Sequence, residues 1–154
     1  MLSAATEDAF KVNLAADVLH QFGSARICVQ GSSMLPSIRP GDQIELHSTP
    51  LSEIKQGDIV AYRRDDRLFV HRVIGKDAAG QLLTRGDTLP QADAPVSESE
   101  FLGVVTSVFR DGTRVDQRNS FAHRATAALF RRSQLCAAFF VKFSLFSSGA
   151  KAQS

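Results

Sequence analysis

Between residues 26 and 110 the chain alternates short β-type runs with Gly-Asp pairs, and this alternation limits the folds open to it. The pairs at 41–42, 57–58 and 86–87 each mark a turn at the edge of a strand. No segment between the runs is long enough for the crossover that parallel strands need. The sequence therefore predicts a mainly β fold with a small, coiled antiparallel or mixed sheet. Its predicted strands are 27–30, 43–47, 59–63, 68–74, 81–84 and 103–109.

Helical patterns flank this β region on both sides. Apolar residues recur at helical spacing over residues 6–22 and predict a short amphipathic helix that Gly23 ends. These apolar residues are Phe10, Leu14, Val18 and Phe22. From Asp116 onward a second helical pattern runs among arginines. We therefore expect an N-terminal helix in residues 1–25, a β-domain in 26–110 and a basic helical tail in 111–154.

The formal net charge of +2 is unevenly distributed along the chain. Residues 1–109 carry ten Lys/Arg and fourteen Asp/Glu, whereas residues 110–154 carry eight and two. A basic tail can contact an anionic membrane surface, an acidic partner or nucleic acid, or it can be a solvated helix face. The sequence shows neither a secretory signal nor a clear membrane span, so we expect a peripheral or weakly anchored membrane protein or a cytoplasmic one. The two cysteines, Cys28 and Cys136, fit no disulfide scaffold or zinc module.

A candidate nucleophile lies in the run Gly-Ser-Ser-Met-Leu-Pro at residues 31–36, directly after a predicted strand. In such a turn Ser33, braced by Met34 and Pro36, can expose its hydroxyl while backbone N–H groups converge nearby. A nucleophile with an oxyanion hole requires that geometry. Gly-Ser-Ser turns are also common in loops without chemistry, so the run by itself leaves a plain turn open.

The first candidate for a base is His71, which the strand period places on one face with Phe69 and Val73. Histidines on apolar strand faces are commonly core residues, but burial also favours the neutral imidazole that a general base needs. A third group could orient the second ring nitrogen, as the acid of a Ser-His-Asp triad does. Two carboxylates in one loop, Asp87 and Asp93, are open for that role, and Asp87 can also be a turn-former.

Five sequence blocks, in this order, resemble type I signal peptidases. They are residues 31–36 with Arg-Pro-Gly-Asp at 39–42, Lys-Gln-Gly-Asp-Ile-Val-Ala-Tyr at 55–62, Val-His-Arg-Val-Ile-Gly at 70–75, Leu-Thr-Arg-Gly-Asp at 83–87 followed by Asp93, and Leu-Gly-Val-Val at 102–105. Each block by itself is unspecific, whereas the ordered set is specific. The closer resemblance is to the Ser-His branch of the endoplasmic reticulum, archaea and some Gram-positive bacteria, in which histidine replaces the lysine base.

The resemblance implies a signal peptidase-like fold, shared with the C-terminal domain of phage repressors, and a serine endopeptidase in residues 26–110. The implied assignments are Ser33 as nucleophile, His71 as general base, Asp93 as the acid with Asp87 as its alternative, and Gly31 and Ser32 as supports of the oxyanion site. The backbone N–H of Ser33 would form part of the oxyanion hole. The reaction would hydrolyse a peptide bond after small residues through an acyl-enzyme, in signal or leader peptide processing. The expected partner is a peptide or preprotein, and no cofactor or metal is implied.

The chain departs from the family at two places. Many members have a serine two positions before the nucleophile, and here that residue is Gly31, as in some other members. The membrane anchor that ordinarily precedes the nucleophile block is replaced by the short amphipathic helix. If the enzyme contacts a membrane, we expect the basic C-terminal helix to make that contact.

Two alternatives remain beside the endopeptidase. A self-cleaving regulator of the phage-repressor type shares the fold, but it uses lysine where His71 stands and cuts at an Ala-Gly or Cys-Gly bond before its serine. No such dipeptide precedes Ser33, and about thirty residues are too few for a DNA-reading helix-turn-helix, so no nucleic-acid partner is expected. The other alternative is a non-catalytic module that binds peptides by strand addition. The joint presence of Ser33, His71 and Asp93 favours the enzyme.

Overall fold

The computed structural model describes residues 4–115, in which one helix precedes a seven-stranded sheet. The elements are α1 (Ala4–Phe22), β1 (Ser24–Cys28), β2 (Gln43–His47), β3 (Ile59–Arg64), β4 (Arg67–Lys76), β5 (Leu82–Arg85), β6 (Phe101–Arg110) and β7 (Thr113–Val115), with a 3-10 turn at Leu51–Glu53. The strand order is β1-β2-β6-β3-β4-β5, β7 pairs β6, and every pairing is antiparallel. The predicted mainly β fold is confirmed. The predicted helical pattern from Asp116 onward lies outside the described residues.

Most strand bounds differ from the sequence prediction by one or two residues, and two strands differ more. β1 begins three residues earlier than predicted, because its register against β2 runs from Ser24 opposite His47 to Cys28 opposite Gln43. β7 lies within the segment 111–154 that was predicted to be helical. Asp111 and Gly112 have φ angles of 50° and 76°, which suit a tight hairpin turn, and the chain therefore returns along β6. The prediction of a helical tail is thus wrong for residues 113–115.

The predicted helix forms, but only some of its apolar side chains face the sheet. Its buried residues are Val12, Ala15 and Leu19, and Leu19 joins the core beneath. The exposed ones are Phe10, Leu14 and Phe22, at 66%, 52% and 68% exposure. The apolar arc of the helix is wider than one packing face, so Leu19 and Val18 pack against the core while other apolar side chains stay exposed. No helix between residues 4 and 115 combines the length and apolar character needed to cross a bilayer.

Alternate residues of β3 enter two apolar clusters, as the period of two requires. Ala61 belongs to the cluster that includes Ile44 and Leu46, whereas Val60 and Tyr62 belong to the other. Burial on both faces makes β3 a rigid central strand. It pairs with β4 on one side, and β4 carries His71 opposite Val60.

Candidate active site

Ser33 lies in the turn that follows β1, and the core holds this turn in place. The N–H of Val29 donates to the carbonyl oxygen of Asp42 at 2.8 Å, which joins the two ends of the segment. Within the turn, the N–H of Ile38 donates to the carbonyl oxygen of Met34 at 2.9 Å, and both side chains are buried. Ser33 itself is half-buried. Its hydroxyl is therefore carried by a hydrogen-bonded turn that is packed against the core.

Three predicted site residues lie in one hydrogen-bonded line. Ser33 Oγ lies 3.0 Å from His71 Nε2, and His71 Nδ1 lies 2.7 Å from Asp93 Oδ2. Because a carboxylate can only accept, the ring proton is on Nδ1, and Nδ1 donates a hydrogen bond to Asp93. The lone pair of Nε2 is then free to accept the hydroxyl hydrogen of Ser33. A nucleophile, a base and a group that orients the base need this arrangement.

The two carboxylates that the sequence left open have different partners. His71 and Arg72 are adjacent in β4, so their side chains leave opposite faces of the strand. Asp87 accepts from Arg72 Nε at 2.8 Å and from Nη2 at 2.7 Å, and it also accepts from the hydroxyl of Ser37 at 2.7 Å. Asp93 is the carboxylate that contacts His71. Asp87 instead ties β4 to the turn that carries Ser33.

The loop after β5 also binds the main chain of Ser33 directly. The N–H and the hydroxyl of Thr88 both donate to the carbonyl oxygen of Ser33, at 2.9 and 3.1 Å. A Cβ on Gly86 would lie 2.9 Å from the same oxygen, closer than real Cβ atoms come to oxygen. Glycine is therefore required for this close approach. The loop that supplies Asp93 thus also fixes the position of Ser33.

Two buried hydroxyls beside Asp93 were not among the residues that the sequence singled out. Thr84 Oγ1 donates to Asp93 Oδ2 at 2.8 Å, and the hydroxyl of Tyr62 lies 3.4 Å from His71 Nδ1. Burial, above all other causes, raises the pKa of Tyr62 to about 12. The ring of Phe69 stacks on Tyr62, with centroids 5.3 Å apart, and both rings meet the imidazole edge-on. Tyr62 and Phe69 thus pack against the imidazole of His71.

Strand register could have identified both hydroxyls. Tyr62 lies opposite Phe69, and Thr84 lies opposite Val73. Phe69 and Val73 are each two residues from His71 in β4, so all of these side chains share a face. The sequence prediction did not include the register of β4 against its neighbours, which left Tyr62 and Thr84 as ordinary strand residues.

Arg64, at the end of β3, holds the segment that follows Asp93. Its Nη1 donates to the carbonyl oxygen of Ala94 at 3.2 Å and its Nη2 to that of Pro95 at 2.9 Å. Its Nε donates to Glu100 at 2.6 Å. Arg64 thus joins the loop that carries Asp93 to the residues that lead into β6.

Because of the ion pair between Arg64 and Glu100, we expect the protein to lose stability in acid. The hydrogen bond from Arg64 lowers the pKa of Glu100 from its usual 4.5 to about 2. Because the pKa is lower in the folded state, its contribution to stability is complete above pH 4.5 and is lost as the pH falls towards 2. Urea unfolding at about pH 6 and about pH 3 should show a larger loss of the free energy of unfolding for the wild type than for Glu100→Gln. Equal losses of the free energy of unfolding in the two proteins would contradict the stabilising role of the Arg64–Glu100 ion pair.

Gly31 and Ser32 lie on the exposed side of the turn. A Cβ added to Gly31 would meet nothing within 4 Å. The carbonyl oxygen of Ser32 accepts from the N–H of Leu35 at 3.2 Å. Their predicted part in the oxyanion site stays a prediction. Within the part of the chain that the structure describes, no three His, Cys, Asp or Glu side chains are grouped to hold a metal ion.

Comparison with known proteins identifies the family. A search of curated proteins gave no match to the chain. Residues 3–106 match the family described as Peptidase S24-like. The match takes in α1, β1 to β5 and all three residues of the hydrogen-bonded line. It supports the serine-peptidase resemblance at the level of the family. Since it covers well over half of the sequence, the chain belongs to the Peptidase S24-like family.

Proposed function

We propose that this protein is a serine endopeptidase in which Ser33 is the nucleophile, His71 the general base and Asp93 the acid that orients the base. The observation that carries the proposal is the continuous line from Ser33 Oγ through His71 to Asp93, with separations of 3.0 and 2.7 Å. Hydrogen-bond reach from nucleophile to base and from base to orienting group is the geometric requirement for this chemistry.

The proposed reaction has two halves. Ser33 Oγ attacks the peptide carbonyl while its proton passes to His71 Nε2, and Asp93 stabilises the imidazolium that forms. The tetrahedral intermediate breaks its C–N bond as Nε2 returns the proton to the leaving amine, which leaves an acyl-enzyme on Ser33. Water then attacks the acyl carbonyl, with His71 again taking the proton, and the carboxylic acid product is released. The N–H of Ser33 is the proposed donor to the oxyanion.

The proposed substrate is a peptide or preprotein with small residues next to the cut, as in signal or leader peptide processing. This finer assignment, and the Ser-His branch, rest on the resemblance of the five blocks. Histidine at position 71 supports it, because the repressor-type members described above have lysine there. Contact with a membrane surface through the basic residues beyond Asp116 is part of the same proposal.

A self-cleaving regulator is the second candidate, because the Peptidase S24-like family also includes repressor-type proteins that cut themselves. The two candidates share the nucleophile and differ in where the scissile bond lies. In a self-cleaving protein that bond belongs to the same chain, so two fragments should accumulate on incubation without any added peptide.

Labelling with a fluorophosphonate tests the nucleophile without knowledge of the substrate. We expect the wild-type protein to gain one adduct on the tryptic peptide that contains Ser33, measured by mass spectrometry. Ser33→Ala should gain none, and Ser48→Ala, which removes an exposed serine at the end of β2, should react like the wild type. Unlabelled samples of the same proteins, incubated with peptides that carry small residues or without any peptide, separate the two candidates. A folded wild-type protein that binds such peptides without reacting would indicate the non-catalytic module.

A further inference from the structure

Asp93 is attached to β5 at two points, and both belong to Thr84. The N–H of Asp93 donates to the carbonyl oxygen of Thr84 at 2.8 Å. In the other direction, Thr84 Oγ1 donates to Asp93 Oδ2, also at 2.8 Å. Oδ2 is the same oxygen that accepts from His71 Nδ1. One residue therefore sets both the backbone position of Asp93 and the direction of the oxygen that orients His71.

The hydroxyl of Thr84 is buried and therefore needs a hydrogen-bond partner. Thr84 is fully buried, and its neighbours on this side of the sheet include Val73 and Leu82. Valine has nearly the same shape and would suit such surroundings, whereas a buried hydroxyl is tolerated only when it is hydrogen-bonded. The Thr84 hydroxyl meets this requirement by donating to the carboxylate of Asp93.

Tyr62 restricts the same group from the other side. Its hydroxyl lies 3.4 Å from His71 Nδ1, and Thr84 and Asp93 are close enough to influence its pKa. With its pKa raised to about 12, this hydroxyl stays protonated, so it can both donate and accept. If it donated to Nδ1, the imidazole proton would move to Nε2, and His71 could no longer accept from Ser33. Asp93 Oδ2, at 2.7 Å from Nδ1, is the closer partner and keeps the proton on Nδ1, which leaves the productive tautomer in place.

We propose that Thr84, supported by Tyr62, is a positioning residue that holds Asp93 Oδ2 in line with His71 Nδ1 and thereby fixes the tautomer in which Nε2 can act as a base. The inference rests on the proposed function, because it assigns Thr84 a role in the same chemistry. Thr84 does not touch the substrate or Ser33. Its effect passes through Asp93, so the chemical step should depend on it and substrate binding should not.

The test compares Thr84→Val, which removes the hydroxyl at nearly constant shape, with Thr84→Ser, which keeps it. With a peptide that the wild type cleaves, Thr84→Val should lower kcat by about 10- to 100-fold at nearly unchanged KM, as expected for a lost hydrogen bond to a charged group. Thr84→Ser should recover most of the activity. Thr106→Val is the matched control, because this threonine lies exposed in β6 and its hydroxyl contacts only Glu45 in the described part of the chain.

A measurement that needs no substrate accompanies the kinetics. The Nδ1–H proton of His71 should give a far-downfield NMR resonance in the wild type and in Thr84→Ser, and this signal should shift or broaden in Thr84→Val. Should Thr84→Val fail to fold, Thr84→Cys provides a weaker donor of similar size, with the same expected direction in both measurements.

The outcomes separate this inference from the function on which it rests. If the wild type neither cleaves peptides nor reacts with a fluorophosphonate, the proposed function fails, and the NMR signal still decides whether Thr84 orders the Asp93–His71 hydrogen bond. If the wild type is active and Thr84→Val has the same kcat and the same NMR signal, the positioning role is refuted. Equal losses in Thr84→Val and Thr84→Ser would assign the effect to packing and would also refute it.

Discussion

Replacing His71 with alanine is expected to lower kcat for peptide cleavage by about 10⁶-fold, because the nucleophile loses the group that takes its proton. Ser33 Oγ lies 3.0 Å from His71 Nε2. Without the imidazole, the serine hydroxyl is a weak nucleophile near neutral pH, and no proton is delivered to the leaving amine. Substrate binding depends on other surfaces, so KM should change much less than kcat.

Steady-state kinetics of His71→Ala, Ser33→Ala and the double variant measure this expectation. Residues that act as one unit are strongly non-additive, so the double variant should be no slower than either single variant. His47→Ala is the matched control, because it removes an exposed histidine at the end of β2. Activity of His71→Ala within about tenfold of the wild type, with far-UV circular dichroism unchanged, would contradict the role of His71 as the base.

The sequence was most informative where local turn chemistry decides the structure. Gly41-Asp42 precedes β2, and the predicted bounds of that strand, 43–47, agree with Gln43–His47. The run at 31–36 identified the turn of Ser33, and the strand period placed His71 on an apolar face. These features depend on neighbours within a few residues, so a single sequence contains most of the information that they require.

The choice between Asp87 and Asp93 required more than local patterns. Both carboxylates follow β5 in one loop, and no period applies to a loop. The structure separates the two through the neighbour of His71, since Arg72 leaves the opposite face of β4 and binds Asp87. Loop residues are therefore assigned by the partners that strand pairing brings to them. Thr84 could not be identified from the sequence for the same reason, because its contact with Asp93 depends on the loop returning to β5.

The helix shows a different limit of sequence reasoning. An apolar spacing indicated that residues 6–22 form a helix, and α1 covers Ala4–Phe22. It did not indicate which apolar side chains would be covered, because Phe10 and Leu19 lie on different parts of a wide apolar arc. Packing against the sheet selected Leu19 and left Phe10 exposed. Burial is thus a property of the assembled fold, which periodicity by itself does not determine.

The two carboxylates of one loop should respond to the same substitution in opposite ways. Asp93→Asn keeps the shape of the side chain but allows it to donate to Nδ1, which favours the tautomer with the proton on Nε2. That tautomer cannot accept from Ser33, and a drop in kcat of about 10⁴-fold is expected at nearly unchanged stability. Asp87→Asn weakens a two-point ion pair with the buried Arg72. We expect this variant to lose about 2 kcal/mol of the free energy of unfolding and to retain most of its kcat.

Parallel measurement of kcat and urea unfolding in both variants tests the division of roles. Each variant is the control for the other, since both exchange one carboxylate for an amide within the same loop. A kcat loss as large in Asp87→Asn as in Asp93→Asn would mean that Asp87 takes part in the chemistry. The expected contrast follows from the alternation of side chains in β4, because His71 and Arg72 face opposite sides of the strand. Asp93 contacts His71, which exchanges protons in the proposed mechanism. Asp87 contacts the guanidinium of Arg72, which does not.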